Sequence, residues 1–197
     1  MRYSQMRDFV RLDVSACLMG AFLLLTLPLN WLASALAAAA FHELCHAAAI
    51  MLLGGRIWSI RIGAGGAVME TEPLESGKEL ICALAGPAGS LLLVTLFRIF
   101  PRIAVCALVQ AAFNLLPVFP LDGGRALRCM LVRFCPKQAS KIAAWTKWGV
   151  LSILAGLALT AAFRWKLGML PLAAVWVLAM KAFLRKRPCK PARFGVQ

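Results

Sequence analysis

The chain is poor in charged side chains, which make up only 15% of its 197 residues. Soluble domains carry about 25% charged and about 45–50% apolar residues, whereas 61% of this chain is hydrophobic. The composition argues against an ordinary cytosolic enzyme, which would need a more polar surface. It also argues against a disordered basic tail, because such segments are poor in Leu, Ala and Val.

Cysteine pairs with metal-binding spacing are lacking as well. The seven cysteines include no C-x-x-C pair, and most lie in or beside apolar runs, where a free thiol behaves as a small hydrophobic side chain. We therefore expect no disulfide framework and no cysteine-based zinc site. Histidine is rarer still, since His42 and His46 are the only two.

Long uncharged segments, by contrast, are abundant. A transmembrane helix needs about 20 mostly apolar residues, and six such segments can be placed in a single domain of residues 1–197. The sequence thus predicts an all-α polytopic membrane protein with six transmembrane helices. The predicted spans are residues 12–29, 32–53, 80–97, 103–121, 147–163 and 167–183.

Three local features of the sequence bear on this predicted arrangement of spans. Residues 56–69, after the second span, carry isoleucines and glycines in a pattern typical of short strands. Pro117 and Pro120 would break the fourth helix, which is tolerated where the backbone lines a cavity. A basic start and the sequence Ala-Ser-Ala-Leu-Ala at residues 33–37 also fit a cleavable signal peptide. The apolar run continues beyond that sequence to residue 55, which favours two spans.

Basic residues are unevenly distributed around the predicted spans. With six spans, 18 of the 22 Lys and Arg residues fall on the side that holds both termini, and 4 fall on the other side. The positive-inside rule then places both termini in the cytoplasm, including a basic tail at residues 184–197. Because these charges follow the membrane edges, we expect contact with the lipid bilayer and no binding of nucleic acid.

The second span carries the sequence His42-Glu43-Leu44-Cys45-His46, an H-E-x-x-H motif. A spacing of four residues puts both imidazoles on one helical face, close enough to share a Zn²⁺ ion. Glu43 lies beside them and can accept a proton from an attacking water. Ionisable groups at membrane depth are expensive and are functional candidates by default. The alternative is a pair of core histidines that hydrogen-bond to neighbouring helices.

A zinc site of this kind normally has three protein ligands. Asp122 is the candidate for the third, because it is the only other carboxylate near an apolar span, where it is expected at the end of the span. Gly123 and Gly124 follow it and permit close backbone approach. The alternative is that Asp-Gly-Gly simply forms a turn that ends a helix.

Two motifs together resemble those of one family. The segments His42–His46 and Asn114–Gly124, the latter reading Asn-Leu-Leu-Pro-Val-Phe-Pro-Leu-Asp-Gly-Gly, resemble the paired motifs of the site-2 proteases (M50), which are intramembrane zinc metalloproteases. Ala85–Gly89 is similar to the family's small-residue element, in which glycines permit close helix packing. The six-span layout is similar to the sporulation branch, which processes pro-sigma factors.

The resemblance implies a role for each of five residues. His42, His46 and Asp122 match the zinc ligands, with one Zn²⁺ per chain, and Glu43 matches the catalytic glutamate. Asn114 matches an asparagine that positions the substrate or polarises the scissile carbonyl. A helix-capping or interhelical amide is the alternative for Asn114.

The resemblance also implies a setting for the site. Residues 56–69 would be a short β-like loop at the membrane edge that holds an unwound substrate by strand addition, the alternative being a plain surface hairpin. The substrate would be a membrane protein, such as a pro-sigma factor or a single-pass anti-sigma-type protein, in a bacterial cell membrane. The sequence leaves no stretch for a PDZ or CBS domain, so we expect a regulatory membrane protein instead.

The function predicted from these features is that of an intramembrane zinc endopeptidase. The alternatives are a non-proteolytic membrane protein that binds or senses a metal, and a small metal transporter whose path is lined by the same polar groups. Glu43 argues against simple metal binding, because a binding site needs no general base.

Overall fold

The computed structural model describes residues 9–63, 66–164 and 170–184, which are mostly helical. In chain order the elements are β1 (Val10–Leu12), α1 (Val14–Thr26), α2 (Leu29–Leu52), β2 (Ile57–Gly63), β3 (Gly66–Thr71), α3 (Ser76–Val94), α4 (Pro101–Asn114), α5 (Asp122–Phe134), α6 (Ala139–Arg164) and α7 (Leu170–Leu184).

Three of the described helices, α2, α3 and α6, are long and apolar enough to cross a membrane. Large apolar side chains also face outward, as at Leu25 and Leu52, which are 89% and 86% exposed. Contiguous apolar surface of this kind is the face that a bilayer covers. A helical polytopic membrane protein is thereby supported, while the count of six spans stays a prediction.

Strand β1, which precedes α1, and strands β2 and β3, which follow α2, form a three-stranded sheet in the order β1-β2-β3. Strands β2 and β3 form an antiparallel hairpin, so the strands predicted within residues 56–69 are confirmed. Strand β1 pairs in parallel with β2, with Val10 opposite Ile60. Sequence analysis missed β1, because three residues in a polar, basic segment give no strand pattern and their pairing partner lies 50 residues away.

Small side chains bring the central helices together. Helices α2, α3 and α4 pack against one another. Ala38 on α2, Ala83 on α3 and Ala107 on α4 are fully buried at these contacts. Small residues permit close approach of helix backbones within a membrane. The three helices therefore form the core that positions the site.

The predicted fourth span is interrupted. Helix α4 ends at Asn114, ahead of Pro117 and Pro120, and residues 115–121 are not helical. The span predicted over residues 103–121 is therefore not one continuous helix, and the break predicted from the prolines is observed. Asp122 was expected at the end of a span but is the first residue of α5. The alternative in which Asp-Gly-Gly ends a helix is wrong, because these residues begin one.

Helix α5 runs antiparallel to α3. Near its start, Arg125 lies 4.0 Å from Glu79. Near its end, the Arg133 guanidinium approaches Gly77, at the beginning of α3. Helices α4 and α5 both pack on α3, and the non-helical residues 115–121 lie between them.

The last two helices form a separate hairpin. Helix α6 begins at Ala139, so the predicted span 147–163 is the later part of a longer helix. Helix α7 packs on α6 and covers most of the predicted span 167–183. Residues 167–169 of that span, and all but the first residue of the basic tail at 184–197, lie outside the described residues.

Replacing Gly89 tests the close contact between α2 and α3. A Cβ at Gly89 would lie 2.2 Å from Cys45 Sγ, so Gly89→Ala should lower the free energy of unfolding by about 1–3 kcal/mol through overpacking. Denaturing-detergent titration would measure this.

Gly20→Ala is the matched control, since nothing lies within 4 Å of a Cβ at Gly20 in α1. It should be neutral or stabilising by up to about 1 kcal/mol. Cys45→Ala should recover part of the loss in Gly89→Ala. Equal effects of the two glycine substitutions would contradict this packing.

Candidate metal centre

Helix α2 places the two histidines on one buried face. His42 and His46 are 1% and 7% exposed, and a spacing of four residues is one helical turn. Their ring centroids lie 4.8 Å apart at an interplanar angle of 81°. This edge-to-face arrangement brings the two Nε2 atoms to 3.2 Å from each other.

Asp122 reaches the histidines from the first turn of α5. Its Oδ2 atom lies 3.1 Å from Nε2 of His42 and 3.1 Å from Nε2 of His46. The following residue packs directly on the preceding loop, because a Cβ at Gly123 would be 2.1 Å from the carbonyl oxygen of Leu115. A larger side chain at position 123 would push α5, and Asp122 with it, away from α2.

The other ring nitrogens face α3. Nδ1 of His46 donates a hydrogen bond to the backbone carbonyl of Cys82 over 2.7 Å, and Nδ1 of His42 lies 2.8 Å from Ser90 Oγ. A carbonyl only accepts, so the proton of neutral His46 sits on Nδ1 and Nε2 carries a lone pair. That is the tautomer which binds a metal through Nε2.

The donor set fits a zinc ion. The ligand atoms of His42, His46 and Asp122 all lie within 4.8 Å of one another, and among the described residues they form the one such group of His, Cys, Asp and Glu. Tetrahedral zinc with ligands at about 2.0–2.1 Å has donor atoms about 3.3 Å apart, close to the distances of 3.1 to 3.2 Å observed here. Three protein ligands also leave the fourth position open.

The contacts bear on the alternative of two structural core histidines. Hydrogen bonds from Nδ1 to a neighbouring helix fit that alternative as well as a metal site. Both Nε2 atoms also converge on one carboxylate oxygen, an arrangement that two histidines bonded only to neighbouring helices would not need. It favours a site built for a cation.

Gly86 on α3 keeps the space in front of the imidazoles open. A Cβ at this position would lie 2.2 Å from Nε2 of His46 and 2.7 Å from Nε2 of His42. Sequence analysis assigned the glycines of Ala85–Gly89 to helix packing. Gly89 does serve that contact, whereas Gly86 borders the donor atoms themselves.

The two remaining predicted residues lie at the edges of this group. The Asn114 amide, at the end of α4, places Nδ2 3.2 Å from Nε2 of His42. Glu43 is half-buried, and its carboxylate accepts a hydrogen bond from the backbone N–H of Ala67 in β3. The structure thus brings the predicted residues from α2, α4 and α5 together, and it adds the β2–β3 hairpin beside Glu43.

Three contacts at the site were missed by sequence analysis. They are the Ser90 hydroxyl, the Cys82 carbonyl and the Ala67 N–H, which respectively meet His42, His46 and Glu43. A backbone carbonyl or N–H has no sequence signal. Ser90 had one available, since it is a polar residue in an apolar helix.

Comparison with known proteins decides the family. A family model for M50B-like peptidases matches residues 14–135, which is more than half of the chain and includes all five predicted site residues. The chain belongs to the M50B-like peptidase family. Its predicted membership of the M50 peptidases is confirmed.

Two relatives extend the comparison of this M50B-like peptidase. It is 31% identical over 118 residues to the zinc metalloprotease MJ0392 of Methanocaldococcus jannaschii, a match that covers 52% of this chain and 35% of the relative. The matched stretch is thus about a third of the relative's length. The solved structure of the site-2 protease from Methanocaldococcus jannaschii shares its fold, with a TM-score of 0.65, 20% identity and 92% coverage of each chain.

Gly86→Ala tests the geometry of this centre. The added methyl group would occupy the space between the two Nε2 atoms and α3, so zinc affinity should fall by about 10–100-fold. Competition of the purified protein with a fluorescent zinc chelator would measure it.

Gly149→Ala is the control, because a Cβ at Gly149 in α6 meets nothing within 4 Å. It should retain wild-type zinc affinity. Unchanged affinity in Gly86→Ala would show that the ion does not bind between these imidazoles.

Proposed function

We propose that this peptidase is an intramembrane zinc endopeptidase that hydrolyses peptide bonds in membrane-embedded or membrane-associated proteins. The observation that carries the proposal is the convergence of His42 Nε2, His46 Nε2 and Asp122 Oδ2, at 3.1 to 3.2 Å, where the apolar helix α2 meets the start of α5. Polar groups gathered at membrane depth serve chemistry more often than structure.

In this proposal His42, His46 and Asp122 hold one zinc ion per chain. Zinc, when bound, lowers the pKa of a water molecule and polarises a substrate carbonyl. Ser90 and the Cys82 carbonyl orient the two imidazoles, so that the Nε2 atoms of His42 and His46 both face the proposed position of the zinc ion.

Glu43 acts as the general base and acid. It accepts a proton from the attacking water and delivers it to the amine that leaves when the peptide bond breaks. Its hydrogen bond with the Ala67 N–H holds the carboxylate on the side of the hairpin. Asn114 directs its amide toward the same group of atoms and can donate a hydrogen bond to the scissile carbonyl oxygen.

The substrate binds as an extended strand in this mechanism, since a helix hides its carbonyl groups. In the described sheet, β2 is paired on both sides, whereas β3 pairs with β2 alone. Strand addition on the outer edge of β3 would bring an unwound segment next to Glu43, because Ala67 belongs to that strand.

The proposed topology has six membrane crossings with both termini in the cytoplasm of a bacterial cell. Helix α4 and the non-helical residues 115–121 together supply the fourth crossing, since α4 with 14 residues is about 21 Å long, less than a hydrocarbon core of about 30 Å. The 18-to-4 distribution of basic residues supports this orientation.

The proposed substrates are a pro-sigma factor or a single-pass anti-sigma-type protein, and a regulatory membrane protein is the proposed controller. Both proposals rest on the resemblance of the two sequence motifs to the site-2 proteases. A catalytic-residue variant would trap such partners, because membrane-bound precursors should accumulate with it.

Glu43→Gln tests the mechanism. An amide cannot accept the proton, so cleavage of a precursor found in this way should slow by about 10²–10⁴-fold, while the zinc content stays at one ion per chain. A gel assay with purified protein and substrate would measure the rate.

Glu72→Gln is the control, since Glu72 is an exposed glutamate outside the site. It should cleave at the wild-type rate. If Glu43→Gln also cleaved at that rate, the protease mechanism would be wrong, and metal binding or transport would be left as the role of the site.

A labelling experiment tests the orientation. Cys135 is exposed between α5 and α6, so a membrane-impermeant thiol reagent should label it only after the cells are opened. In an Arg98→Cys, Cys135→Ser variant, the new thiol between α3 and α4 should be labelled on intact cells. The reverse pattern would contradict cytoplasmic termini.

A further inference from the structure

Each donor of the centre has a second polar neighbour. His42 faces Ser90, and His46 faces the Cys82 carbonyl. Asp122 uses Oδ2 toward both histidines, while its other oxygen, Oδ1, lies 3.8 Å from a guanidinium nitrogen of Arg125, three residues later in α5. The first two neighbours belong to α3, whereas Arg125 does not.

Arg125 is nevertheless connected to α3. Its second terminal nitrogen lies 4.0 Å from Oε1 of Glu79. Glu79, Cys82, Gly86 and Ser90 follow one another at intervals of three, four and four residues, which places them on one face of the helix. A single face of α3 thus contacts all three donors, directly for the histidines and through Arg125 for Asp122.

We propose that Arg125 is a positioning residue, which bridges Asp122 Oδ1 to Glu79 and so holds Asp122 in the orientation that presents Oδ2 to the metal. This inference rests on the proposed function, because it assigns Asp122 as a zinc ligand. A carboxylate attached by two single bonds can rotate, and a positive charge held 3.8 Å from Oδ1 favours the rotamer in which Oδ1 faces Arg125 and Oδ2 faces the histidines.

We expect the contacts of Arg125 with Asp122 and Glu79 to affect the zinc affinity more than the stability of the fold. The Arg125 and Glu79 side chains are 37% and 44% exposed, and ion pairs at that exposure contribute little to stability. Asp122 is only 13% exposed, so its orientation depends on the few groups that reach it. Loss of a partner that orients a metal ligand typically weakens metal binding by about 10–100-fold.

The test is a zinc titration of the full chain in detergent against a competing chelator. Arg125→Met, which keeps the length of the side chain and removes its charge, should raise the zinc dissociation constant by about 10-fold or more. Arg125→Lys should lie between this variant and wild type. Arg128→Met, one turn further along α5, should match wild type. The unfolding midpoint of the zinc-free protein should be unchanged in all three.

Glu79→Gln provides a second variant that leaves Arg125 in place. It should weaken zinc binding by less than Arg125→Met does, and the double variant should be no weaker than Arg125→Met alone. Wild-type affinity in Arg125→Met would overturn the inference, and so would an equal loss in Arg128→Met. A lower unfolding midpoint with unchanged affinity would assign Arg125 a structural role instead.

The same titration separates this inference from the proposed function. If wild type binds zinc and Asp122→Ala does not, while Arg125→Met binds as wild type, only the role of Arg125 is wrong. If wild type itself binds no zinc, the proposed function fails with it.

Discussion

The cost of burying polar groups among packed helices determines the central part of this structure. Two imidazoles and a carboxylate can be buried there only if each finds a partner. The structure satisfies them mutually, through contacts of 3.1 to 3.2 Å, and through α3, which receives both Nδ1 atoms. The alanine-lined packing of α2, α3 and α4 and the glycines beside the site serve this arrangement, because bulkier residues would separate the groups.

The geometry of the histidine pair could be predicted from the sequence, because a four-residue spacing on a helix fixes the relative positions of the two side chains. Asp122 could be named as the third donor by elimination. Its placement could not be predicted, because the apolar run hides where one helix ends and the next begins. Two prolines signal a break, yet the residue at which the helix resumes depends on how Gly123 packs on the Leu115 carbonyl.

Contacts between segments that are far apart in the sequence were the other feature that could not be predicted. The hairpin in residues 56–69 had a local signal, whereas β1 is defined only by its contact with β2. The hydrogen bond between Glu43 and Ala67 likewise joins a helix to a strand, through two residues that lie 24 positions apart in the sequence. A sequence pattern indicates which secondary structure one segment favours. It does not indicate which backbone N–H will meet a side chain from another segment.

The break between α4 and α5 also constrains the length of the chain. Seven residues, 115–121, separate Asn114 from Asp122, and Gly123 rests on the first of them. The segment is held at both ends, by the contact of Asn114 with His42 and by the packing of Gly123 on Leu115, so one residue added between them would strain these contacts or shift α5. The segment therefore works as a spacer of fixed length, whose count of residues matters as much to the site as the chemical identity of Asp122.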